Sequence, residues 1–140
     1  MRIFLDTNVF FDYVLGREPE FEHTRHLMLV INGNRLVCGT NPNNFPHAYF
    51  HMMKEEGADS WAGKHELALL RQVIQCIPLD NGIVDKALAR RSPIDMEDGI
   101  TLELAIAFNA DVFITRDPTG FRLSPIPVRS PQQFLDEWYA

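Results

Sequence analysis

Short, unbroken apolar runs constrain this chain more than any other feature. Ile3-Phe4-Leu5, Leu36-Val37-Cys38, Val73 to Ile77, Val112-Phe113-Ile114 and Ile126-Pro127-Val128 are each of strand length, and stretches with apolar residues at helical spacing lie between them. A strand without polar alternation is covered on both faces, and strands separated by helices run parallel. The pattern predicts a three-layer α/β/α domain, Rossmann-like, around a central parallel sheet of four to five strands. Its 140 residues fit one domain spanning 1–140, since domains cluster at about 100–150 residues. No repeat, linker or low-complexity segment interrupts it. Punctuation agrees with the pattern. Gly16, Gly33 and Gly57 stand where helices should stop, and Asn8, Ser60, Asp80 or Asn81, and Asp95 stand where helices should start. Pro127 suits an edge strand. Ser130-Pro131-Gln132-Gln133 reads as a capping box with Pro at the first helical position.

Composition narrows the function classes. A chain 46% apolar and 23% charged is ordinary for a soluble globular protein. The net charge of −6 argues against a dedicated duplex-DNA binder. It leaves a nucleic-acid substrate open, because an enzyme that clusters carboxylates around cations is acidic overall and needs only a local basic rim. Cys38 and Cys76 sit in apolar runs without metal-ligand spacing, which predicts buried free thiols in a reducing compartment. The first strand begins at once, without room for a signal peptide, and no apolar stretch approaches the ~18 residues of a membrane span. The expectation is a cytoplasmic protein with no membrane association.

Chemistry is expected at the strand ends. Ile3-Phe4-Leu5 stops at Asp6-Thr7-Asn8, and Val112-Phe113-Ile114 stops at Thr115-Arg116-Asp117. In open α/β sheets, ligands bind at the carboxyl ends of central strands. If the two strands are neighbours, Asp6 and Asp117 converge. Asp98 opens the helix that feeds the later strand, so it falls at the same end. Singly, each acid has a plain alternative: an N-cap for Asp6, a dipole-favoured first-turn acid for Asp98, a turn residue before Pro118 for Asp117. Their joint placement is the signal. Three converging carboxylates repel, and a divalent cation resolves the conflict; Mg²⁺ or Mn²⁺ takes oxygen ligands from carboxylates and substrate phosphates.

Asp6-Thr7-Asn8-Val9, Asp95-Met96-Glu97-Asp98, Ala110 to Asp117, Phe121, and Val128 to Leu135 together resemble the PIN domain family in order and spacing over nearly the whole chain. The resemblance implies a metal-dependent ribonuclease, many members being VapC-like toxins of toxin–antitoxin pairs. It assigns Asp6, Asp98 and Asp117 as catalytic, metal-binding acids. Thr7, Asn8 and Thr115 match the supporting polar residues. The family also places an acid in the helix after the second strand, where Asn43 to Phe50 has none. His47 falls nearest that position, Asn44 is the other candidate, and Glu97 is a substitute. His47 and His51 are spaced i, i+4, as a Zn site would need, though one face of an amphipathic helix often gives that spacing. Arg116 is assigned to substrate phosphate, helped by Arg17, Lys54, Arg90, Arg91 or Arg122. Tyr49 and Phe50 are either base-stacking or core residues.

The first expectation is a Mg²⁺- or Mn²⁺-dependent endoribonuclease of single-stranded RNA, with an antitoxin as partner and a homodimer through Phe50-His51-Met52-Met53. The alternative is a weakened module of the same fold that binds RNA or a protein without cleaving. A phosphatase with a nucleophilic N-terminal Asp fits poorly, because Asn8 stands where that chemistry places a second acid.

Overall fold

In the computed structural model, which describes residues 1–33, 36–56, 60–93 and 95–139 (the side chains of Glu55, Glu56 and Ser60 excepted), the apolar runs form the sheet. Among the described residues there are five parallel strands: β1 (Arg2–Leu5), β2 (Val37–Thr40), β3 (Ile74–Cys76), β4 (Val112–Ile114) and β5 (Val128–Arg129). Their order is β3-β2-β1-β4-β5, so the first strand of the chain lies in the middle of the sheet. The helices are α1 (Thr7–Val14), α2 (Phe21–Gly33), α3 (Asn44–Glu56), α4 (Ser60–Arg71), α5 (Asn81–Ala89), α6 (Met96–Ala107) and α7 (Pro131–Tyr139).

Successive strand residues point to opposite faces, so β1 feeds two separate cores. Ile3 and Leu5 join the core beneath α1, α2, α3 and α7, with Phe10, Leu27, Ile31, Met52 and Phe134. Phe4 joins the other core, with Leu102, Leu104, Phe108, Phe113 and Phe121. Ile3, Phe4 and Leu5 are each at most 1% exposed, and each contributes about 1.5–3 kcal/mol by leaving water. The central strand therefore carries the Asp6 turn at the end of a buried run.

Local signals act as expected at several helix ends. Asp80 accepts from the Ile83 amide at 3.0 Å and Asp95 from the Asp98 amide at 2.9 Å. Ser130 and Gln133 exchange the reciprocal bonds of a capping box, at 3.1 and 2.9 Å. Gly16, after α1, takes a φ of +63°, which a side chain would resist.

Other expectations need correction. The cap of α1 is Asp6, which accepts from the Thr7 amide at 2.8 Å, and Asn8 lies within the helix. β2 runs on past Cys38 through Gly39 and Thr40. A Cβ on Gly39 would come within 3.0 Å of the Phe108 ring and 3.1 Å of Ile77, so close packing, not hydrophobicity, selects that residue. The edge strand begins one residue after Pro127, whose carbonyl nevertheless accepts from the Phe113 amide at 2.9 Å. Both cysteines are free, and Cys76 is only half-buried, because β3 is the edge beyond β2. The Gly57 stop and the Ser60 cap fall outside the described residues and side chains.

Candidate active site

The register of the sheet builds the site. Leu5 pairs with Ile114 on one side and Thr40 on the other, so the residues after β1 and β4 emerge together at the sheet rim. The Asp6 amide donates to the Ile114 carbonyl at 2.8 Å, and the Thr115 hydroxyl donates to Asp6 Oδ2 at 2.7 Å. The other Asp6 oxygen accepts from the Thr7 amide. On the β2 side, Thr40 donates its hydroxyl to the Leu5 carbonyl at 2.9 Å, and the Asn44 amide donates to Thr40 Oγ1 at 2.9 Å. Asn44, at the start of α3, is buried on this side of the rim.

Charge at this rim is only partly compensated. Burial pushes the Asp6 carboxyl above its ordinary range and Glu97 adds to the rise, against the hydrogen bonds from Thr115 and Thr7 and the charge of Arg116. Asp98 is pushed up to about 6, first by burial and then by Asp6, Asp95 and Glu97. The start of α6 thus confronts the end of β1 with like charge. Thr7 Oγ1, beside Asp6, is a buried hydroxyl without a hydrogen-bond partner among the described residues. From Asp98 an open cleft of about 610 Å³ leads away between Ser92-Pro93 and Thr119 to Leu123, with Arg122 in its wall.

The PIN domain family model matches residues 2–119, from the start of β1 to the turn beyond β4. The chain belongs to the PIN domain family. Solved structures similar to this PIN domain include VapBC2 from Rickettsia felis bound to a DNA fragment from its promoter, at 14% identity with a TM-score of 0.66. FitAcB from Neisseria gonorrhoeae is similar at 17% identity with a TM-score of 0.64. Each alignment covers 93% of this chain and 98% of the other, and at such identities the likeness is one of fold. No match is found among curated proteins.

Within this PIN domain the sequence-derived residues have different fates. Asp6 and Asp98 face one another electrostatically, joined by Glu97. Asp117 is exposed and turned into its own 3-10 turn (Pro118–Phe121), accepting from the Thr119 amide at 3.3 Å and the Thr119 hydroxyl at 2.5 Å. Among the described residues no three His, Cys, Asp or Glu groups are placed to hold one ion. Asn8 accepts from the Arg116 amide at 3.1 Å and so joins the two turns. His47 is exposed on α3, one turn beyond Asn44. Tyr49 is half-buried against the core, Phe50 is exposed, and Met52 is core.

Arg116 is engaged elsewhere. Its Nε donates to Asp12 Oδ2 at 3.0 Å, and a second guanidinium nitrogen pairs with Asp12 Oδ1. Asp12, 1% exposed, was missed by sequence reasoning. The available signal was an acid inside Val9-Phe10-Phe11-Asp12-Tyr13-Val14, since a buried charge must be paired. Arg90 is also engaged, donating to the buried Glu103 at 2.6 Å. Among the described residues no acid pairs with Arg122, which leaves it the guanidinium open to a ligand near Asp98.

The donor set suits Mg²⁺ or Mn²⁺. It is all oxygen, it repels itself, and such ions are commonly held by one or two carboxylates with water and substrate phosphate completing the shell. Asp6 and Asp98 would be the carboxylates, with Glu97 beside them.

Proposed function

We propose that this PIN domain is a divalent-metal-dependent endoribonuclease of single-stranded RNA. The observation that carries the reading is the buried Asp6 carboxylate, tied to Thr115 at the end of the central strand, with the like charges of Glu97 and Asp98 acting at the same rim. Structural ion pairs bring opposite charges together, whereas this rim gathers like ones. Asp6 and Asp98 would hold Mg²⁺ or Mn²⁺, with water and substrate phosphate completing the shell. When bound, such an ion supplies an activated water and stabilises the charge that develops on a phosphodiester. The Thr115 hydroxyl and the Thr7 amide fix both oxygens of Asp6. Asp95 fixes the backbone at Asp98. Arg122, in the cleft that starts at Asp98, takes the phosphate-binding role in place of Arg116. Asp117 acts through the turn it caps. The expected products carry 5′-phosphate and 3′-hydroxyl ends.

As a toxin-type nuclease it would have a protein partner, a reading supported by the likeness to VapBC2. A groove of about 550 Å³ between α1, α2 and α4, lined by Tyr13, Val14, Phe21, Met28 and Leu29 with Leu67, Leu69 and Leu70 opposite, offers an apolar seat for an antitoxin segment. Leu29 and Leu69 are more than half exposed there.

One observation favours a second reading, a module that binds without cutting: Asn44 and His47, not an acid, occupy the start of α3. Cleavage of end-labelled single-stranded RNA in EDTA, Mg²⁺ or Mn²⁺, beside Asp98→Asn, separates the two. The nuclease predicts cation-dependent cleavage that the substitution removes. Folded, partner-free protein that cuts with neither ion is the module.

A further inference from the structure

An arginine next to a carboxylate patch normally joins it, and Arg116 does not. Its backbone amide is tied to Asn8 and its neighbour Thr115 holds Asp6, so it stands within the site by sequence and by fold. Its charge is felt at Asp6, and that of Asp6 is felt at Arg116. Yet the guanidinium bonds in a two-point fork to Asp12, with Glu20 adding to the attraction. Asp12 is almost wholly buried in α1, while Arg116 is 42% exposed at its side chain. The acid is therefore the fixed partner and the guanidinium the member free to move.

The energetics make that arrangement informative. Burying a carboxylate is unfavourable without a partner, so Asp12 depends on the Arg116 guanidinium. Its pairing has a direct consequence at the rim: the guanidinium attached to the site bonds Asp12 instead of Asp6. A guanidinium released from Asp12 would be left with Glu20 and Asp6 as its attracting acids, and Asp6 is the one at the rim. The guanidinium would occupy carboxylate oxygens by the same bidentate geometry and remove the charge that attracts a divalent cation.

We propose that Asp12 is a positioning residue that sequesters the Arg116 guanidinium, keeping Asp6 and Asp98 open to a divalent cation. The inference rests on the metal-dependent reading above and extends it to α1, away from the ligands themselves. It makes Arg116 a bound counter-charge, not a substrate contact.

Direct Mn²⁺ binding to the purified chain, read by calorimetry or by the loss of the free Mn²⁺ paramagnetic resonance signal, tests it without any cleavage assay. Asp12→Asn should weaken Mn²⁺ about 10- to 100-fold, the range found when groups that orient metal ligands are altered. Adding Arg116→Gln to Asp12→Asn should restore wild-type affinity, because the competitor is gone. A purely structural Asp12 predicts the opposite, a double variant as weak as the single or weaker. Arg116→Lys guards against Asp12→Asn failing to fold. It keeps both charges, but an ammonium cannot make the two-point fork, so a smaller loss in the same direction is expected. Unchanged Mn²⁺ affinity in folded Asp12→Asn, or no loss in Arg116→Lys where Asp12→Asn does not fold, overturns the proposal and leaves the metal site standing. A wild-type chain that binds no Mn²⁺ overturns both.

Discussion

Two strands of this sheet end in the same residue types and come to opposite fates. β1 stops at Asp6-Thr7 and β4 at Thr115-Arg116-Asp117, and the strands are adjacent and parallel. Asp6 follows its strand directly, caps an eight-residue helix and is 4% exposed. Asp117 lies further from its strand, caps a four-residue 3-10 turn and is exposed. The end of the central strand is buried at Asp6, whereas the β4 turn reaches the surface at Arg116 and Asp117. The same residue can thus stand buried beside like charge or be satisfied in its own surface turn, depending on how far past the last sheet hydrogen bond it sits. Thr115 illustrates the link: its hydroxyl donates to Asp6, while the Asp117 amide approaches the same oxygen only at 3.4 Å.

Cleavage should show the contrast at its largest. Asp6→Asn is expected to abolish RNA cleavage, whereas Asp117→Asn should leave measurable activity, lower by about 10- to 100-fold as for a residue acting through others. Equal loss in the two variants would erase the distinction and restore Asp117 as a ligand.

Stability gives the next largest effect, and its sign is opposite to that of an ordinary salt-bridged acid. The folded chain holds the Asp98 proton more tightly than an unfolded one, with its carboxyl raised from 3.8 to about 6. In metal-free protein the Asp98 contribution to stability is therefore fully present below the ordinary value, is lost as pH rises between the two, and stays lost above about 6. In EDTA, Asp98→Asn should raise the melting temperature at pH 7 and leave it unchanged near pH ~4. A lower melting temperature at neutral pH would mean that Asp98 is a stabilising cap, not a strained acid.

Thr119→Ala should give the smallest effect, within about 0.5 kcal/mol in denaturant unfolding because the bond it removes is at the surface. The informative readout is cleavage. If the 3-10 turn merely parks Asp117, the rate stays within about twofold, as befits a surface change. A rise would mean that Thr119 holds back a useful carboxylate.

Much of this was legible locally. Strand content, the helix starts at Asp80, Asp95 and Ser130, and the stop at Gly16 depend on residues within one turn of each other, so neighbouring chemistry suffices to read them. The acid at the rim could likewise be located at Asp6, because a buried run ending in a carboxylate has little choice. Gly39 and Thr40 were not recognisable as strand, since what selects them is the Phe108 ring and the Leu5 carbonyl across the sheet. The engagement of Arg116 was equally hidden: it and Asp12 are 104 residues apart.

The amino-acid sequence by itself determined a single α/β layer architecture and the presence of carboxylates at strand ends, because apolar run length and capping chemistry act over a few residues. Only the tertiary structure decided which charges are paired. The order β3-β2-β1-β4-β5 places Asp6 beside Thr115 and within reach of the charges of Asp98 and Glu97, and it brings Asp12 to Arg116. Electrostatic energy depends on separation through space and on burial, and neither is a property of separation along the chain.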